Sequence, residues 1–343
     1  MAEIHWIPSM SLILNVIKSA FGKQKQTNEP GANASGIAEM SQSAKAGAGI
    51  SAEEQIKIAE ALSAQLEGIN QDLRRNSGYL ARQEMRTILE NIRLHPKRLE
   101  QYGFKVYSQN DEDGILAEIF KRIGVTKGTF CEIGVENGLE CNSLFLIHQG
   151  WRGVWLEGNE NQRPAIESKF QSLLANNRLS LAIGYITPQN INTALAEVAQ
   201  RLDIDANDLD FLSIDIDGMD IYLLEALEHP PKVICIEYNS KFPPPLSKKP
   251  VFNGQSIWNR TDYMGSSLTA INEVANSKGY SLVGTNLTGL NAFFVRNDLL
   301  GNHFEEKLTP EGLYNPPRYY LTFDHFHYDV GHEADFGPYV DLQ

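Results

Sequence analysis

Gly128-Thr-Phe-Cys-Glu-Ile-Gly134-Val-Glu-Asn-Gly138 is the stretch that decides the fold. Its first half reads as a buried strand. Its second half is a turn with glycines at 134 and 138, and Leu139 to Gln149 then read as a helix closed by Gly150. A strand that enters a helix through a glycine turn is the opening unit of a parallel α/β sheet, and glycines there let a ligand approach the backbone. The same alternation continues downstream. Strands are predicted at Gly153–Glu157, Ser180–Tyr185, Asp210–Asp217 and Lys232–Glu237, with helices at Pro164–Ala175, Pro188–Arg201 and Ile221–Leu227. Upstream, Ile115, Leu116, Ile119 and Phe120 share one face of a predicted helix over Asn110–Ile123. Strands alternating with helices imply a parallel sheet covered on both faces.

The alternation stops after the fifth strand. A predicted helix, Ser266–Ser277, precedes two strands, Tyr280–Val283 and Asn291–Val295, and the loop Gly284–Leu290 between them is too short for a helical crossover. Those two strands must be antiparallel. Five parallel strands, a helix and a closing hairpin resemble the plan of class I S-adenosylmethionine-dependent methyltransferases. An ordinary dinucleotide fold would close on a parallel sixth strand.

Charge at the first turn bears on the ligand. Glu132 and Glu136 flank it, and Glu157 ends the second strand, where such folds carry the carboxylate that grips ribose hydroxyls. A pyrophosphate on the following helix would meet two carboxylates, which oppose a dianion. A ligand bearing a sulfonium and an α-ammonium suits them. With only two glycines, the turn also lacks the full dinucleotide fingerprint, and no basic group stands near it to support a third reading, an NAD-dependent enzyme of sugar metabolism.

Tyr107-Ser-Gln-Asn-Asp-Glu-Asp-Gly114, Phe130-Cys-Glu-Ile-Gly-Val-Glu-Asn-Gly138, Gly150-Trp-Arg-Gly-Val-Trp-Leu-Glu157, Phe211-Leu-Ser-Ile-Asp-Ile-Asp-Gly218 and Asn291-Ala-Phe-Phe-Val295 resemble the FkbM-like branch of those methyltransferases. The likeness covers roughly residues 105 to 297. It implies a Rossmann-like methyltransferase fold, with Glu132, Gly134 and Gly138 at the methionine part of S-adenosylmethionine and Glu157 at its ribose. Glu136, also placed at the cofactor, stands where the pattern has its middle glycine. No acid ends the third strand, so the usual partner of the adenine amino group is missing or comes from elsewhere.

Ligands of open parallel sheets bind beyond the carboxyl ends of the strands. There the sequence offers Asp215, Asp217 and Asp220 after the fourth strand, and Glu237 and Asn239 after the fifth. If the strand reaches 217, Asp215 and Asp217 share a face. Crowded carboxylates must be paired, protonated or metal-bound. One reading puts Mg²⁺ on Asp215, Asp217 and Asn239. Another makes Asp217 a general base, with Asp215 and Glu237 beside it. A structural reading has Asp215 accepting backbone hydrogen bonds and Asp220 capping the next helix. The insertion over 240–265, with Lys248, Lys249, Trp258, Arg260 and Tyr263, is either an acceptor cover or a surface flap.

The expected reaction is O-methylation of a small-molecule or saccharide hydroxyl. The alternative is an inactive scaffold of the same fold that assembles through its N-terminal helix. Composition bounds both. The chain has 343 residues, 42% hydrophobic and 21% charged, and its net charge of -13 argues against nucleic acid as a partner. No apolar run is long enough to cross a bilayer. Cys131, Cys141 and Cys235 lie in apolar surroundings without metal spacing, which fits the cytoplasm.

Four parts are expected. Residues 1–50 form a flexible leader with a short apolar helix. Residues 51–100 carry a long helix, or a helical hairpin broken near Asn76-Ser77-Gly78, introduced by the capping box Ser51-Ala-Glu-Glu54. Its apolar stripe suggests either an oligomerisation element (a coiled coil with homo-oligomerisation through 51–95) or a brace packed on the main domain. Residues 101–300 form the methyltransferase-like domain. Residues 301–343 are an aromatic tail whose His303, His325, His327 and His332 lack a third ligand at zinc spacing.

Overall fold

The computed structural model describes residues 51–216, 218–252, 261–321 and Phe336. The leader over 1–50, Asp217, Trp258, Arg260 and the tail histidines 325, 327 and 332 lie outside the described residues. The chain divides into two compact units at Gln71/Asp72.

Helix α1 runs unbroken over Ala52–Ile92, 41 residues. The hairpin alternative is thereby corrected. A glycine inside a helix costs only about 1 kcal/mol relative to alanine. Beyond Gly78 the helix gains packing that outweighs this, because Ala81 and Met85 are buried with Leu287 and Leu321, flanked by Ile88, Leu89 and Ile92.

The second unit holds one seven-stranded sheet. Its strands are β1 (Thr129–Ile133), β2 (Arg152–Glu157), β3 (Leu179–Ile183), β4 (Phe211–Ile214), β5 (Val233–Glu237), β6 (Tyr280–Thr285) and β7 (Asn291–Arg296). Their spatial order is β3-β2-β1-β4-β5-β7-β6. The first five pair in parallel, whereas β7 runs antiparallel to β5 and to β6. This is a Rossmann-like methyltransferase fold with the terminal hairpin that the sequence implies.

Strand alternation sends side chains to two cores. On one face, Cys131, Ile133, Leu212, Ile214, Ile234 and Ile236 pack against α6 (Ile191–Leu202), α7 (Asp220–Ala226) and α8 (Leu268–Ser277). On the other, Phe130, Trp155, Phe211, Val233 and Phe293 pack against α2 (Glu112–Arg122), α3 (Leu144–His148) and α4 (Arg163–Lys169). A short helix α5 (Gln171–Ala175) precedes β3, and α9 (Pro310–Leu313) precedes a segment that returns to the carboxyl end of β5. There Tyr238 donates to the Asn315 carbonyl at 2.8 Å and Tyr314 to the Ser240 carbonyl at 2.5 Å. β3 is an edge strand, and the Arg201 guanidinium donates to its Leu181 carbonyl at 3.3 Å.

The predicted helix Pro164–Ala175 is two helices, α4 and α5, divided at Phe170, and two further departures bear on function. The helix after β1 starts at Leu144, not Leu139, and β4 ends at Ile214, three residues before Asp217. Both differences originate in the site.

Candidate functional site

β1 lies between β2 and β4, and the connection leaving β1 runs to β2 on one side while the connection leaving β4 runs to β5 on the other, which opens a crevice between their carboxyl ends. The turn beyond β1 is tightly wound. Gly134, Glu136 and Gly138 have φ of +85°, +48° and +82°. A Cβ on Gly134 would fall 1.7 Å from the Asp215 carbonyl oxygen, and one on Gly138 would meet Trp155 and Phe170 at 2.7 Å. Gly134 is therefore required by the contact between the β1 and β4 loops, and Gly138 by aromatic packing.

Two acids hold this turn from inside. Glu132 is buried, and its carboxylate accepts the backbone N–H of Asn142 (2.8 Å) and of Ser143 (2.9 Å) as well as the Ser143 hydroxyl. Those bonds keep residues 139–143 out of the helix, which explains the late start of α3. Trp155 Nε1 donates to the same hydroxyl at 2.9 Å. Burial pushes the Glu132 carboxyl up to about 7, outweighing its hydrogen bonds from Ser143 and Asn142. Glu157, also buried, accepts Val135 N–H at 3.1 Å and Glu136 N–H at 2.7 Å on one oxygen, and Asn159 N–H at 2.7 Å on the other. It ties the end of β2 to the turn after β1.

Other acids stand at the crevice mouth. Glu136 is exposed, while Asp215 and Glu140 are half-buried. The field of Asp215 and Glu136 reaches Cys141, whose thiol is raised first by burial and then by Glu132, Asp215, Glu157 and Glu136. Lys105 corrects the expectation that no basic group stands near the turn: it lies beside Glu140, with its Nζ donating to the Gln109 carbonyl at 3.2 Å. Burial lowers its ammonium pKa, against the pull of Glu140, Glu112 and Asp113.

The second pole, at β4 and β5, is rearranged relative to expectation. Because β4 stops at Ile214, with Asp215 N–H still donating to the Ile133 carbonyl at 3.1 Å, Asp215 belongs to the loop and the shared-face argument for residues 215 and 217 does not apply. Asp220 does not cap α7 from outside. It is the first helical residue, and its carboxylate accepts Ile216 N–H (2.8 Å) and Gly218 N–H (2.9 Å), closing the loop that carries position 217. Asn239, named above as a metal ligand, donates from its amide to the carbonyls of Asp262 (3.0 Å) and Met264 (2.6 Å) and accepts Lys241 N–H at 3.0 Å. It anchors both ends of the insertion. Glu237 is buried at the end of β5, opposite Asn291 of β7. Within the insertion, Lys249 pairs with Glu225 at 2.6 Å and lies over the Tyr222 ring, and Lys241 pairs with Asp262. Among the described residues no group of three or more His, Cys, Asp or Glu side chains is arranged to hold a metal ion.

Sequence reasoning gave no role to two groups of residues, the first of them inside the Tyr107–Gly114 motif. Asp111, Glu112 and Asp113 are all buried beneath the crevice. Asp113 accepts three consecutive backbone N–H groups, from Val106, Tyr107 and Ser108. Glu112 accepts the side-chain amides of Asn110, Asn286 and Asn291, and Asp111 accepts Leu287 N–H. Burial pushes Asp113 up to about 6 and Asp111 upward, Asp111 further by Glu112. Three adjacent acids before an apolar helix read as a solvated helix start, so no pattern marks them as interior. The second group is Ser240 and Tyr319, whose hydroxyls lie 3.2 Å apart beside β5. Burial raises the Tyr319 phenol, with the Ser240 hydrogen bond opposing and Glu237 adding to the rise.

A cavity of about 190 Å³ opens beside this crevice, between β3 and α6. Leu156, Ile183, Tyr185, Thr193 and Glu197 line it. Asn190, on the same wall, accepts Thr187 N–H and donates to the Tyr185 carbonyl, which shapes the loop after β3.

No family model matches the chain, and no curated protein matches it. Solved structures are similar to it at low identity. An O-methyltransferase from Bacillus cereus in complex with SAH is 17% identical, with 61% of this chain and 88% of that chain covered and a TM-score of 0.33. The glycopeptide N-methyltransferase MtfA complexed with sinefungin is 14% identical, with 54% and 86% covered and a TM-score of 0.31.

Proposed function

We propose that the chain is an S-adenosylmethionine-dependent methyltransferase of the FkbM-like branch, acting on a hydroxyl of a small molecule or saccharide in the cytoplasm. The observation that carries this reading is the acid-rich mouth of the crevice at β1, where Glu136, Glu140 and Asp215 outnumber Lys105 beside a backbone turn fixed by Glu157. An anionic lip suits a sulfonium and an α-ammonium and disfavours a pyrophosphate. When bound, the cofactor supplies a methyl group made electrophilic by its positive sulfur.

The chain's residues divide the remaining work. The turn from Gly134 to Gly138 and the carboxylates of Glu136 and Asp215 would hold the methionine part. Glu157, with lone pairs left beyond its three backbone donors, would meet the ribose, and the cavity between β3 and α6 would receive the base. Glu132 and Gly138 shape the site from beneath. Asp217, two residues beyond Asp215 in the sequence, is the proposed base for the acceptor hydroxyl, with Asp215 and Glu237 in support. A Mg²⁺ ion would take Asp215 and Asp217 as ligands without Asn239, whose amide oxygen already accepts Lys241 N–H. Much of the rate would come from holding both reactants aligned.

One observation favours the scaffold alternative. The two acids most characteristic of a cofactor site, Glu132 and Glu157, both accept backbone N–H groups. Calorimetry with S-adenosylmethionine decides between the readings. Saturable binding that weakens on Asp215→Asn supports the enzyme. Absence of heat at millimolar ligand leaves the scaffold.

A further inference from the structure

Helix α1 carries an apolar row that the rest of the described chain leaves exposed. Leu62, Leu66, Ile69, Leu73 and Leu80 are each 54% to 66% exposed. Their spacing is four, three, four and seven residues, and Asn76 fills the remaining position of the alternating three-four pattern. That is the 3.5-residue repeat of a coiled-coil seam, not the 3.6-residue repeat of a helix lying on a domain. The domain-facing side of the same helix, at Ala81 and Met85, lies roughly 80° to 140° around the axis from Leu73 and Leu80. The seam is thus separate from the face already used.

We propose that this row is a parallel, in-register coiled coil formed with other copies of this chain. Charge argues for self-pairing. The positions flanking the seam are Ser63, Gln65, Asn70, Asp72, Ser77 and Tyr79, of which Asp72 alone is charged, and it pairs with Arg75 of its own helix at 3.3 Å. Like copies therefore meet without repulsion, and nothing there selects an oppositely charged partner. Asn76 fixes the direction. In parallel register it faces Asn76 of the next copy, and the two amides can bond each other. In an antiparallel pair centred on Ile69 it would face Leu62 and lose its partners in an apolar seam. Leucine at 66, 73 and 80 with Ile69 between them is a pattern that admits more than two strands. This inference does not depend on the methyltransferase reading.

Sedimentation equilibrium of the full chain tests it. The expected mass at micromolar concentration is a whole multiple of 38.4 kDa, and the double variant Leu66→Glu/Leu73→Glu is expected to run as a monomer with unchanged circular dichroism. Orientation is read by mild oxidation of three separate variants, Leu66→Cys, Leu73→Cys and Leu80→Cys, since the native thiols are buried. Parallel register predicts that every one of the three links to itself, whereas an antiparallel pair brings at most one against itself. Asn76→Leu is expected to tighten association at least tenfold. A 38.4 kDa monomer at tens of micromolar, or an oligomer unchanged by the double glutamate variant, overturns the proposal.

Discussion

Two sets of carboxylates meet at the carboxyl ends of β1 and β4, and burial gives them opposite work. The inner set, Glu132, Glu157, Asp113 and Asp220, is buried, and each member gathers two or more backbone N–H groups. The outer set, Glu136, Glu140 and Asp215, lies at or near solvent on backbone that the inner set has fixed. The inner acids act as templates for loop shape, and the outer ones supply the field a cation would feel. Residue type alone does not separate these roles.

The sharpest way to break this distinction is Glu132→Ala. It strands two buried N–H groups and a hydroxyl, and unfolding free energy should fall by about 4 kcal/mol in a denaturant titration. Next in size is Gly134→Ala, where a Cβ would collide with the Asp215 carbonyl at a φ of +85°. A loss of about 3 kcal/mol is expected, together with loss of cofactor binding.

A pH series sharpens the contrast from another side. The carboxyls of Glu132 and Asp113 are raised by burial to about 7 and about 6. A raised carboxyl binds its proton more tightly folded than unfolded. Its stabilising contribution is therefore complete below the unfolded value near 4 and is lost as pH rises through 6 and 7. Between pH 5 and pH 7 stability should fall on the order of 2 kcal/mol, measured by thermal unfolding. The smallest effect belongs to the outer set. Glu136→Lys should change stability by less than about 0.5 kcal/mol yet weaken S-adenosylmethionine binding about tenfold, or about 1.4 kcal/mol. Were that substitution to destabilise the fold as much as Glu132→Ala does, the two sets would be one.

Hydrophobic patterning made the sheet legible. Strand positions, their parallel order and the closing hairpin all follow from apolar runs and loop lengths, because a sheet buried on both faces imprints its burial on the sequence. Hydrogen bonds between a side chain and a distant backbone leave no such imprint. The late start of α3 at Leu144 and the early end of β4 at Ile214 depend on Glu132 and on the loop held by Asp220. Spacing cannot show which amide a carboxylate will find. The interior position of Asp111, Glu112 and Asp113 was hidden for the same reason, since their partners include Leu287, Asn286 and Asn291, far away in the chain. The continuity of α1 through Gly78 was decided by packing partners that local propensity does not contain.

The sheet's exposed border at β3 has a further consequence. Carbonyls along such a border can recruit a strand from any passing chain, and this is how soluble proteins begin to precipitate. Arg201 lays its guanidinium across the Leu181 carbonyl of that border. Colloidal behaviour during expression, concentration and storage thus rests in part on a single arginine far from any chemistry.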